Sequence, residues 1–84
     1  MKETTIKNDG QILIGSNIRR VREKRNMRPK DLVIQVQLKS VDLNVFSLSK
    51  IEANTQHIKA SQFRTIVEVL GVDGIELLRR EDED

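Results

Sequence analysis

Ile14-Gly15-Ser16-Asn17-Ile18-Arg19-Arg20-Val21-Arg22-Glu23-Lys24-Arg25-Asn26, with Ser49-Lys50-Ile51-Glu52 further on, is the pattern that decides how this chain folds. Ile14, Ile18 and Val21 fall at i, i+4 and i+7, one apolar stripe of a helix. The remaining positions make a dense basic face. Asn26 suits a left-handed helix end. In the second segment Leu48 and Ile51 anchor a helix end that carries a single acid, Glu52. Asn44 can cap the start of that helix, and Asn54 can stop it.

Working outward, the same period continues. Pro29 suits a first helical turn, where its missing N–H costs nothing. Leu32, Val33 and Val36 give the second helix its inner face. A connection follows, roughly Leu38 to Leu43. Thr55 to Lys59 reads as a polar loop. Ala60, Phe63, Ile66, Val67 and Leu70 form the clearest helical stripe, and Gly71 ends it. Asp73 and Glu76 stand at cap and N3, a capping-box spacing, before a last short helix with Ile75 and Leu78. Asn8-Asp9-Gly10 is a turn signal. Ile12-Leu13-Ile14 reads either as a short strand or as the run-in to the first helix. These patterns predict an all-α, compact five-helix fold. Residues 1–13 are expected to form a weakly ordered arm, 14–80 the domain and 81–84 an acidic tail.

Eighty-four residues allow one small domain. Aromatic content is only 2%, so the core must be aliphatic, with Phe46 and Phe63 the only rings. There is no Cys, which removes disulfide frameworks and thiolate metal sites. No apolar run nears the about 20 residues that span a bilayer, and no secretory h-region opens the chain. A cytoplasmic location is expected. The net charge of +2 hides an asymmetry: residues 1–80 hold 15 basic and 9 acidic side chains, a net +6. Arg19–Lys30 alone holds seven basic residues against Glu23. Such a cluster is the footprint of a polyanion binder, or else a solvated helix face. His57 stands without Cys or a carboxylate cluster and reads as an exposed loop residue. No nucleophile elbow, acid pair or Gly-rich phosphate loop occurs. No enzyme activity, cofactor, metal or small-molecule substrate is expected.

From Ile14 to Leu78 the order of motifs resembles the Cro/CI-type, or XRE-like, helix-turn-helix family. The matching residues are Ile14, Gly15, Ile18 and Arg22; Leu32-Val33; Ser49-Lys50-Ile51-Glu52 with Asn54; Leu70-Gly71-Val72; and Leu77-Leu78. The resemblance implies a lambda-repressor-like five-helix bundle. It implies a transcriptional regulator, in most cases a repressor, that binds double-stranded DNA with its third helix in the major groove. It also raises the expectation of a homodimer. Three features depart from the family. The connection Gln37 to Asn44 is several residues longer. The second helix opens with Arg28-Pro29 in place of Ser or Thr followed by Gln. Val45 and Phe46 stand where polar readers are usual.

The resemblance further implies roles for individual residues. Arg22 and Glu52 would form an ion pair joining helices one and three. Asn44, Val45, Phe46, Ser49 and Lys50 would face the groove, where Asn bonds adenine, Lys bonds guanine and apolar groups touch a thymine methyl. Phe46 reads rather as packing over the long connection. Arg19, Arg20, Arg28, Lys30, Gln56, His57 and Lys59 would flank phosphates. The alternative function is a protein-interaction module on the same fold, with Val45 and Phe46 as its apolar anchor.

Overall fold

A computed structural model describes residues 13–78 and the backbone of Thr5–Ile6. Its elements run β1 (Thr5–Ile6), α1 (Ile14–Lys24), α2 (Pro29–Leu38), α3 (Val45–Glu52), β2 (Ile58–Lys59), α4 (Ala60–Leu70) and α5 (Gly74–Leu77). Among the described residues five helices pack around an aliphatic core. Ile14, Ile18 and Val21 enter it from α1, Leu32, Val33 and Val36 from α2, Leu48 and Ile51 from α3, and Ile66 and Leu70 from α4. Phe63 and Val67 lie against it half-buried.

The helix ends follow local chemistry. At the end of α1, Asn26 takes φ 56°. Its N–H donates to the Glu23 carbonyl and that of Met27 to the Arg22 carbonyl, the paired bonds of a Schellman motif. The end of α3 repeats this: Asn54 has φ 62°, and the Asn54 and Thr55 N–H groups reach the Ile51 and Lys50 carbonyls. Gly71 closes α4 at φ 66°. Ser40 closes α2 at φ 63°, a left-handed end that its residue type does not advertise. Pro29 occupies the first turn of α2, and Asn44 caps α3 by accepting from the Ser47 N–H at 2.7 Å.

Four expectations are corrected. The Thr55 to Lys59 stretch is not wholly a polar loop: Ile58 is buried, and Ile58–Lys59 pair antiparallel with Thr5–Ile6 in the register Thr5↔Lys59, Ile6↔Ile58. The last helix turns in Leu77, while Ile75 is 77% exposed and Leu78 also faces outward. Asn17, buried in α1, donates from Nδ2 to the Leu77 carbonyl at 2.8 Å and ties the end of the last helix to α1. The Asp73 side chain makes no capping bond to α5. Phe46 does not pack over the connection before it; it is 68% exposed.

The connection is built inward by other residues. Leu43 is fully buried. Gln37 Nε2 donates to the Leu43 carbonyl at 2.8 Å, and Gln62 Nε2 to the Asp42 carbonyl at 2.9 Å. The Gln62 Oε1 also accepts from the Lys59 N–H at 3.0 Å, so one buried amide ties the start of α4 to the loop before α3. Of the expected arm, only Leu13 and the β1 backbone are described; the Asn8–Gly10 turn, Ile12 and the acidic tail lie outside the described residues.

Candidate nucleic-acid interface

The site begins where α1 meets α3. Gly15 lies against the end of α3 so closely that a Cβ there would overlap the Ile51 carbonyl oxygen. That approach brings Arg22 to Glu52. The guanidinium donates from Nε to Oε2 and from Nη2 to Oε1, both at 2.8 Å. Nη1 donates to the Met27 carbonyl at 2.7 Å. The side chains are only 7% and 8% exposed. The Glu52 hydrogen bonds raise the Arg22 pKa from its already high ordinary value, although burial pulls the other way. The guanidinium therefore stays charged, and its contact with Glu52 withdraws the acid of α3 from the surface.

What α3 shows to solvent is a stripe of Val45, Phe46, Ser49, Lys50 and Ala53. No carboxylate stands on it. Val45 is 43% exposed. Lys50 Nζ sits 4.4 Å from the centroid of the Phe46 ring, within cation–π reach. Asn44 adjoins the stripe, but its Oδ1 is engaged by the Ser47 N–H. One acceptor lone pair is thus already committed, which weakens the fit of Asn44 to a two-bond contact with adenine.

Beside this stripe an open cleft of about 350 Å³ is lined by Arg19, Arg22, Pro29, Val45, Ser49, Glu52 and Ala53. Pro29 and Ala53 are additions that sequence reasoning missed. Ala53 was legible in principle, since it falls four residues after Ser49 on the same helical stripe.

The expected phosphate contacts are exposed, apart from the half-buried Gln56. Of these only Arg19 lines the cleft; Arg20, Arg28, Lys30, Gln56, His57 and Lys59 do not. Arg19 also holds Glu23 at 3.3 Å, and Arg28 holds Asp31 at 3.4 Å, both at the surface. The Asp31 Oδ2 accepts from the Arg28 N–H at 2.9 Å. Half of a capping box thus forms at the start of α2, because a guanidinium has no acceptor for the reciprocal bond. Among the described residues no group of three His, Asp or Glu side chains gathers to hold a metal, and no helix is long and apolar enough to cross a membrane. No family model, curated protein or solved structure matches the chain.

Proposed function

We propose that this chain is a lambda-repressor-like helix-turn-helix domain of the XRE-like kind, a transcriptional repressor or regulator that binds double-stranded DNA with α3 in the major groove. The observation that carries this reading is the outward face of α3. It is free of carboxylate because its one acid, Glu52, is buried and neutralised by Arg22. A groove lined by phosphates repels exposed acids and attracts Lys50. Arg20, Lys30 and their basic neighbours would contact the backbone, which supplies affinity without sequence information. Two such domains would suit paired half-sites as a homodimer.

The exposure of Val45 and Phe46 favours a second reading, a protein-interaction module on the same helices. Titration of labelled duplex DNA from low to physiological salt separates the two. DNA binding predicts that log K falls linearly with log salt, by about 0.9 per neutralised phosphate. Absence of binding at the lowest salt, or binding indifferent to salt, would favour the protein partner.

A further inference from the structure

We propose that Val45 and Phe46 read the C5-methyl group of pyrimidines, so that the chain distinguishes thymine from uracil and 5-methylcytosine from cytosine. The inference rests on the duplex-DNA reading above and goes beyond it. Phe46 is 68% and Val45 43% exposed at the first turn of α3. Neither side chain can donate or accept a hydrogen bond, so neither can read the polar edges of bases. The apolar feature that the major groove displays is the C5-methyl. The stripe carries no acid and one cation, which matches a polyanionic groove better than an apolar protein face.

Lys50 adds a register. Its Nζ lies 4.4 Å from the Phe46 ring centroid, so its charge and the ring form one unit. Residues 46 and 50 stand just over one helical turn, about 6 Å, apart along the axis. Successive bases rise by about 3.4 Å. The methyl read by Phe46 and the guanine read by Lys50 should therefore lie one or two base steps apart.

The test starts from the duplex preferred in selection from random sequences. Each thymine is replaced in turn by uracil, and each methyl-reading position by cytosine and then 5-methylcytosine. Uracil at one or two positions should weaken binding about fourfold each, the transfer value of one methyl. 5-Methylcytosine should bind more tightly than cytosine by a similar factor. Phe46→Ala or Val45→Ala should remove the thymine-to-uracil difference at one position each. Thermal melts should show both variants folded, since neither side chain belongs to the core. Equal binding of every uracil duplex, a preferred site without thymine, or a difference that survives in both variants would overturn the proposal and leave DNA binding standing. Failure to bind any duplex would instead remove the DNA reading, and this inference with it.

Discussion

Arg22 of α1 and Glu52 of α3, thirty residues apart in sequence, meet in a two-bond ion pair with both N···O distances at 2.8 Å. The pair is almost wholly buried. Removing either partner strands a charge in a low-dielectric interior. Arg22→Ala and Glu52→Ala are each expected to cost about 3–5 kcal/mol, and the double substitution less than their sum. Arg22→Lys should rescue poorly, because an ammonium cannot reproduce the fork that reaches Glu52 and the Met27 carbonyl together. Thermal or denaturant melts of the four variants check this. Additive losses would show that the two charges act independently.

Gly15 is a second close approach between α1 and α3, beside their shared apolar packing. A methyl at this position meets the Ile51 carbonyl oxygen, which belongs to backbone and cannot rotate away. Gly15→Ala gains helix propensity but forces the helices apart. It is expected to destabilise by about 1–3 kcal/mol net. Equilibrium unfolding decides; a stabilised variant would mean that α3 shifts at no cost.

Asp31 links stability to pH. The Arg28 N–H, and then the Arg28 side chain, hold its carboxyl below the ordinary value of 3.8. A depressed folded value contributes stability above the unfolded pKa and loses it as pH falls through the folded one. The Asp31 carboxyl should therefore titrate below 3.8 by NMR, and Asp31→Asn should flatten that part of the acid unfolding curve. A midpoint at or above 3.8 would contradict the bond to the helix start.

Lys50 and Arg20 separate specificity from affinity under the proposed function. Lys50 lies on the outward stripe of α3, and Lys50→Ala should cost about 1–3 kcal/mol on the preferred site and relax one base position. Arg20 is exposed on α1 and is assigned to phosphate. Arg20→Ala should weaken preferred and scrambled duplexes alike and lower the salt slope by about one unit. Competition assays with both duplexes measure this. Equal weakening of both by Lys50→Ala would remove that residue from base reading.

Much of this fold was legible in the residue pattern. The stripes Ile14–Ile18–Val21 and Leu48–Ile51, the caps at Pro29 and Asn44, and the left-handed stops at Asn26, Asn54 and Gly71 all depend on bonds within a turn or two of chain. Backbone sterics and i→i−4 bonding decide them locally, so a single sequence carries the information. The outward stripe of α3 follows from the same period, which is why Ser49 and Lys50 could be read and Ala53 could have been.

Other features were settled only by distant partners. Leu43 and Ile58 sit in short segments without period, and their burial depends on what Gln37, Gln62 and β1 do elsewhere. A four-residue helix has too few positions to define a face, so only the packed structure shows that Leu77 turns inward while Ile75 and Leu78 face out. The side chain of Phe46 had two physically reasonable places; the connection buries Leu43, and Phe46 stays outside. Sequence alone determined the stripes of the four longer helices and the ends marked by Pro29, Asn26, Asn44, Asn54 and Gly71, because those energies are local. Tertiary structure decided which short segments enter the core and which apolar groups remain outside, because burial is shared among residues far apart in the chain.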